Sequence, residues 1–552
     1  MAPRTPRDTR LRAAEPTRAA PGEGWTRRAF LGASLATGAG LLACFDAPPF
    51  VDPSGWDAGP VEHLLPAVGP TRIRLKASFA TPLAEVQLRA GRRSVAGRRE
   101  DSAGRFFSFD LDGLEPDTEV QLELMDGVGK ALCASWPLRT FPAPDAEPKR
   151  FRLLAYSCAG GFDAFFHPIA GRIFLETSLR QRLLARALSF APDAAIANGD
   201  HVYWDLQSRP GLAMGRSPQA WWLAGSFDRS QPILGTPNEA VLQAAFGPQL
   251  AGLYGTLFRS VPVFFLQDDH DYTENDEADE DLRTFPADTF MRRVARATQA
   301  LYYPEFLEGP PGYGPDGVFT SFGRVRYGRL FEGLCYDCRA ELTNAADPLT
   351  GHEWSGFVSP EVEDWLRRRT RVSDARFVAH LPSTPILWTA GKWGEWYPDG
   401  KDDVGGLQTH GHKPFWAPGW LEQHDRLLAV HSARGTRPLW LSGDLHATGM
   451  GEIRMSGPLY LRDNPVTSVL VGTPGAAGPG WPSRVRGQRP VPSGTLTVDE
   501  WVPPIEENGF SLIDFEADQV TISQFRWRPE QGADAIDTLT PFAVRTLSRR
   551  PG

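Results

Sequence analysis

The sequence predicts an α/β layered domain preceded by a small β domain, and three patterns predict it. Between residues 63 and 145, apolar and polar residues alternate with the period of two expected of half-buried strands. From Phe151 onward, short apolar runs alternate with segments of helical spacing. Three of those runs close in tight clusters of Asp and His: Asn198 to Asp205, Gln267 to Asp276, and Leu439 to Gly449. An α/β protein presents ligands at the carboxyl ends of its strands in this way, so three such ends point to a dinuclear metal site.

The first 44 residues read as an export signal rather than as structure. An Arg-rich stretch leads to Thr26-Arg27-Arg28-Ala29-Phe30-Leu31, and a short Gly/Ala/Leu segment comes after it, ending in Leu41-Leu42-Ala43-Cys44. This resembles a twin-arginine signal with a lipoprotein box, which makes Cys44 the expected lipid attachment point. The apolar segment is too short for a comfortable span, and no later one approaches ~20 apolar residues. Twin-arginine export carries folded proteins, which suits a chain that loads metal before crossing a membrane. The expected location is periplasmic or cell-surface, with membrane contact only through that lipid.

The 552 residues leave room for more than one domain, and 41% hydrophobic with 23% charged residues is a soluble globular balance. Residues 1–44 carry seven Arg against three acidic residues, so the net charge of −9 becomes −13 without them. That surface gives no support for sequence-independent nucleic-acid binding. Five cysteines fit an exported protein with little disulfide stapling. Cys335 and Cys338 form a lone C-x-x-C, better read as a local disulfide or two half-buried thiols than as zinc ligands, and Cys133 reads as core.

In order along the chain, residues 45–62 read as a linker and 63–145 as the β domain. Ile73, Leu75, Ala77 and Phe79 alternate with Arg72, Arg74, Lys76 and Ser78, and GLEPDTEVQLEL followed by LRTFP resembles a fibronectin type III domain. Pro142, Pro144 and Pro148 mark the next linker. In the domain expected over 150–540, strands are predicted at FRLLAY, PDAAIAN, Val261 to Gln267, Arg376 to His380 and Arg437 to Ser442. Ser359-Pro360 marks a capped helix start, and SLIDFEADQVTISQFRW a hairpin that completes a sheet.

The clusters carry the chemistry. Gly199 allows a sharp exit from its strand, and Asp200 is poised to bridge two cations. Tyr203 can reach the same centre, and a phenolate suits trivalent iron better than zinc. Asp268-Asp269-His270-Asp271 offers one or two carboxylates for a second metal and, in His270, a general acid or phosphate-orienting group. Asp444 and His446, two apart in an exit loop, can both turn toward a metal pair. Cys158 ends the first strand of the domain, where a thiolate can complete the iron shell.

On the motifs YSC, NGDHVYWD, DDHD and SGDLHATG, residues 151–530 resemble alkaline phosphatase D (PhoD), a branch of the calcineurin-like metallophosphoesterases; the β domain and the signal match as well. The resemblance implies a four-layer α/β/β/α sandwich, with Fe(III) held by Cys158, Asp200, Tyr203 and His446. It also implies one or two Ca(II) ions, or other divalent metals, on Asp200, Asp269, Asp444 and Asn275. The expected activity is hydrolysis of phosphate diesters and monoesters by a metal-bridged hydroxide, in a monomer. A rival reading is a surface lipoprotein whose phosphoesterase-fold module binds without catalysis, against which the retained site residues argue.

The chain departs from the family pattern at Asp271, where Glu is usual, and in the acidic run after it. An insertion between Gly391–Trp396 and Gly419–Leu428 contains His410 and His412, candidates for an extra ligand or phosphate contact. Lys392 is expected to attract a phosphate, with Trp393, Glu395 and Trp396 either lining the pocket or anchoring a loop. His380 is either a metal ligand or a satisfied core residue, His201 faces away or makes an outer bond, and Arg339 pairs with an acidic neighbour.

Overall fold

A computed structural model of the chain describes residues 55–163, 166–167, 171–172, 174–203, 224–272, 289–310, 322–341, 356–389, 418–476, 483 and 489–549. Residues 48–552 form one compact unit.

Its first part is eight antiparallel strands in two four-stranded sheets. Strands β1 (Val61–Val68), β2 (Ile73–Phe79), β6 (Phe106–Leu111) and β5 (Arg98–Arg99) form one in the order β1-β2-β6-β5. The other, β4-β3-β7-β8, contains β3 (Val86–Ala90), β4 (Arg93–Ala96), β7 (Glu119–Asp126) and β8 (Trp136–Arg139). Strand β1 starts two residues ahead of the boundary expected from alternation, because Val61 is already buried. Polar contacts fix this β region to the larger α/β part of the chain: Arg74 donates to the Phe306 carbonyl at 2.7 Å and Lys76 to the Ala300 carbonyl at 2.9 Å. His63, fully buried, donates to the carbonyl of Tyr302.

Two further sheets build the larger part. The first has the order β11-β10-β9-β19-β20-β21, from β9 (Arg150–Tyr156), β10 (Ala194–Asn198), β11 (Val263–Leu266), β19 (Asn508–Glu516), β20 (Gln519–Trp527) and β21 (Ala543–Ser548). Strands β9, β10 and β11 are parallel, and the β19–β20 hairpin lies antiparallel against β9. The second sheet runs β12-β13-β14-β15-β17-β16, from β12 (Phe322–Tyr327), β13 (Phe331–Tyr336), β14 (Phe377–Pro382), β15 (Leu439–Ser442), β16 (Thr448–Ser456) and β17 (Val466–Val471). Its central strands β13, β14, β15 and β17 are parallel, and β18 (Leu496–Ile505) adds to β16.

The layer order is set by which side chains share a core. Phe151, Leu153 and Ala155 of β9 pack in one cluster with Phe331 of β13, Ala379 and Leu381 of β14 and Leu441 of β15, so the two sheets face each other. The alternate residues Leu154, Tyr156, Ala195 and Ala197 point outward onto α1 (Thr177–Leu188) and α2 (Pro237–Phe246). On the second sheet Leu334, Val378 and Trp440 point onto α5 (Pro360–Val372) and α6 (Pro418–Ser432). Along the chain, α3 (Ala251–Tyr254) and α4 (Thr289–Tyr302) come between α2 and α5 and join the cluster on the outer face of the first sheet. The result is the α/β/β/α sandwich. Strands buried on both faces explain why their sequences read as continuous apolar runs. Helix α5 starts where its sequence predicts: the Ser359 hydroxyl accepts from the Val362 N–H, Pro360 takes the first turn, and Arg369 and Arg371 sit in the last.

Candidate metal centre

Six parallel strands, three from each sheet, bring their carboxyl ends to one edge, and each ends in a turn that carries a polar side chain: Cys158 after β9, Asp200 after β10, Asp268 and Asp269 after β11, Arg339 after β13, Ser383 after β14, Asp444 and His446 after β15. The Asn198 side-chain amide joins the two halves, donating to the carbonyls of Pro382 (3.1 Å) and Leu441 (3.2 Å) in the facing sheet.

The turns are strained. Cys158, Asp200, Asp444 and His446 all have positive φ, at 52°, 58°, 68° and 49°. Each costs a non-glycine residue of order 1 kcal/mol and persists where the surroundings impose it. Two glycines make the convergence possible. A Cβ on Gly443 would lie 2.0 Å from the Ser157 hydroxyl oxygen, and one on Gly199, at φ 80°, 2.6 Å from the Asp268 Cβ.

Three overlapping groups of potential ligands result, each with its donor atoms within 4.8 Å of one another: Cys158, Asp200 and His446; Asp200, Asp269 and His270; and Asp200, Asp268, Asp269 and Asp444. All are buried. Asp200 belongs to all three. Its Oδ2 faces the Cys158 thiol (3.3 Å) and accepts from the Tyr203 hydroxyl (2.9 Å), while Oδ1 lies 3.4 Å from the His270 amide. The Tyr203 hydroxyl also meets His446 Nε2 at 2.7 Å, and its ring packs against that of His270 at 4.2 Å.

The electrostatics fit a cation. Burial, then repulsion from Asp269, pushes the Asp200 carboxyl far above its usual range. Asp268 is raised by burial, with Arg339 pulling the other way. Burial and the Asp200 charge likewise raise the Cys158 thiol and the Tyr203 phenol. A cation reverses this logic by stabilising the deprotonated form of each donor. The buried Asp268 Oδ2 meets no hydrogen-bond partner among the described residues, which leaves it available to a cation. A mixed set of thiol, phenol, imidazole and carboxylates suits a trivalent and a divalent ion side by side.

Of the residues singled out from sequence, Cys158, Asp200, Tyr203, Asp269, His270, Asp444 and His446 converge here. Lys392, Asn275, Trp393, Glu395, Trp396, His410, His412 and Cys44 lie outside the described residues. His380 is not at the centre: its ring stacks on Trp440 at 4.5 Å and its nitrogens meet the Tyr336 and Thr370 hydroxyls at 3.2 and 2.9 Å. His201 turns away to the Leu266 carbonyl. Cys335 and Cys338 are free thiols, both fully buried, which corrects the expectation of a disulfide or half-buried pair; Cys335 alternates into the inter-sheet core.

Sequence reasoning named Asp268 and Asp271 only as members of a run that offers one or two carboxylates, without separating their roles, and missed Asp337. Asp268 joins the carboxylate cluster directly. Asp271 does not: it accepts main-chain N–H bonds from Asp200 (2.8 Å), His201 (2.8 Å) and Asp268 (2.9 Å), and so clamps the two ligand turns together; burial holds its carboxyl up at about 7. Asp337 accepts from the Arg339 and Ala340 amides and from the Tyr272 hydroxyl, and fixes the turn that carries Arg339. The run of four acidic or imidazole residues from Asp268 to Asp271 was the available signal.

Two solved structures share the fold over most of this chain. A structure of PhoD superposes with a TM-score of 0.59 at 13% identity, covering 91% of this chain and 92% of its own. Purple acid phosphatase PPD1 from yellow lupin (Lupinus luteus) seeds superposes with a TM-score of 0.52 at 11% identity, covering 89% and 75%. No protein-family model and no curated protein matches the sequence. The chain thus has a PhoD-like fold.

Proposed function

We propose that the protein is an exported, metal-dependent phosphoesterase of the PhoD type that cleaves phosphate diesters and monoesters. The observation that carries this reading is Asp200, a single buried carboxylate common to all three ligand groups. The likeness of fold to PhoD and to a purple acid phosphatase supports it.

Cys158, Tyr203, His446 and Asp200 would hold Fe(III); Asp200, Asp268, Asp269 and Asp444 would hold Ca(II) or another divalent ion. Bound there, the pair would lower the pKa of water and neutralise phosphoryl charge. The chain's own contributions are separable from that. Asp200 offers one oxygen to each half of the centre, which fixes where the halves meet. His270, 7% exposed beside Tyr203, is the titratable group at the rim and serves to protonate or orient the leaving oxygen. The carboxylate-rich wall of the centre leaves Arg339 as the cation within reach among the described residues, and it is already paired with acids. A diester, with one charge fewer than a monoester dianion, suits that balance.

The test is hydrolysis of bis-p-nitrophenyl phosphate and p-nitrophenyl phosphate by iron- and calcium-loaded protein beside Asp200→Asn. Turnover lost in the variant supports the reading, and the ratio of the two rates ranks diester against monoester. Full activity with full metal content in Asp200→Asn would remove the bridging role. Export and lipidation are tested separately by a globomycin-sensitive shift in precursor processing; processing unaffected by the inhibitor would remove Cys44 as the lipidated residue.

A further inference from the structure

We propose that the arginine-lined groove between α5 and α6, at the end of the sandwich opposite the metal centre, is a second site that takes a small, multiply charged phosphate-bearing anion. Ester cleavage at the strand edge makes no use of this groove, so the inference stands apart from the proposed function.

The groove lies where the C-terminal halves of α5 and α6 meet the amino ends of β14 and β15. The candidate metal ligands follow the carboxyl ends of the parallel strands, and β14 is six residues long, so roughly 20 Å separates the two places. Its volume is about 730 Å³, room for more than a single ion. Arg367, Arg371, Arg376, Arg426, Arg434 and Arg549 line it, against Asp374 as the one acid among the described residues there. Between them the small side chains of Ala429 and Ala433 keep the space open. The chain as a whole carries a net charge of −9, so this gathering of cations is local.

Structural roles account for part of that charge. Arg426 is paired with Glu363 at 2.6 and 2.7 Å and Arg376 with Glu147 at 2.7 Å. Asp374 gives its own charge to Arg326 and Arg329, at 2.7 and 3.4 Å, and neither of those lines the groove. Four cations are left. Arg371, exposed in the last turn of α5, makes no hydrogen bond or ion pair with any described residue. Arg367 and Arg549 come no nearer to an acid than 3.7 and 3.9 Å. Arg434 donates to the carbonyls of Thr370 and Ala375, at 2.9 and 2.5 Å, rather than to a carboxylate, and burial pulls its guanidinium below the ordinary range. The Nε atoms of Arg367, Arg434 and Arg549 are buried without a hydrogen-bond partner, so none of the three has its donors filled. The partial negative charge of a helix C-terminus favours one or two cations, not four. Guanidinium forks match phosphoryl oxygens, and several of them around one space favour an anion with more than one charge.

The experiment is hydrogen–deuterium exchange of the full, metal-loaded chain with inorganic phosphate, with 1,3-propanediphosphonate, or with chloride at equal ionic strength. Phosphate is expected to slow exchange in residues 367–376 and 429–436, and the diphosphonate to do so at lower concentration. No protection there, equal protection by chloride, or a diphosphonate no better than phosphate would overturn the inference. Arg367→Ser with Arg371→Ser is expected to need at least about tenfold more anion for the same protection, through the loss of two charged donors; an unchanged requirement would overturn it. Should that variant not fold, Arg371→Glu alone, a change at an exposed side chain, must show the same weakening. Asp200→Asn is expected to leave the protection in place, whereas its loss would move the anion to the metal centre and overturn a second site.

Discussion

Asp271 is the place to perturb the centre without touching a ligand. Its carboxylate accepts from the amides of Asp200, His201 and Asp268 at 2.8, 2.8 and 2.9 Å, with a fourth, weaker contact from Val202 at 3.3 Å. Asp271→Ala strands those donors in a buried site, and each well-formed bond lost leaves a penalty of about 1–2 kcal/mol, so the three together come to about 3–6 kcal/mol. Asp271→Asn keeps one acceptor oxygen but turns an NH2 toward another donor, and should lose about half as much. The assay is urea unfolding of metal-free protein at pH 8, monitored by tryptophan fluorescence, so that metal loss cannot be the source of the change. The folded fraction should then bind iron and calcium at least about tenfold more weakly, as when outer-shell partners of metal ligands are removed, because the turns carrying Asp200 and Asp268 are no longer held together. A stability loss below about 1 kcal/mol, or unchanged metal affinity, would refute the clamp.

Three further outcomes are expected. His63 and His431 are fully buried and held neutral, burial lowering them to about 4 and about 3. Below pH 6.5 the unfolded chain takes up protons that the folded chain refuses, so stability is complete above 6.5 and falls toward pH 4 by about 3 kcal/mol for His63 alone; a flat unfolding midpoint between pH 7 and 4.5 would contradict this. Tyr203→Phe should bleach the visible phenolate-to-iron band of the loaded protein while metal content persists, and an unchanged spectrum would place the phenolate elsewhere. His380→Ala should cost about 2–4 kcal/mol of stability through the cavity beneath Trp440, with metal content unaltered; loss of an ion would return His380 to the centre.

Much of the fold was legible because its strands are buried on both faces and each ends abruptly in acids. The clusters at Asp200, Asp269 and Asp444 were readable because a turn former, a carboxylate and a His within four residues serve few purposes besides ligation. Asp268 and Asp271 were harder: neighbours in one strand-end turn, one enters the carboxylate cluster and the other clamps the backbone, and only the path of the short 3-10 turn at Asp269–Tyr272 decides which. His380 and Asp444 both come after apolar runs, yet His380 lies within β14 among aromatic rings and Asp444 lies beyond the end of β15. A residue or two of strand length separates a core side chain from a site one, and alternation does not resolve that. Arg339 was read only as a pairing residue, because the identity of its partners, 71 and 105 positions away, depends on the packing of two sheets.

The joint between the sheets has a consequence for tuning. Cys158, Asp200 and Asp269 ride on one sheet, Asp444 and His446 on the other, and the Asn198 amide spans the seam. The gap across the seam is therefore a mechanical setting of the distance between donors. Phe151, Phe331 and Phe515 pack between the same two sheets at the opposite ends of these strands, the last two with ring centres 4.6 Å apart. Trimming one of these rings would work as a change of shim beneath a vice: no candidate ligand is altered, yet the jaws that carry them would close to a different width.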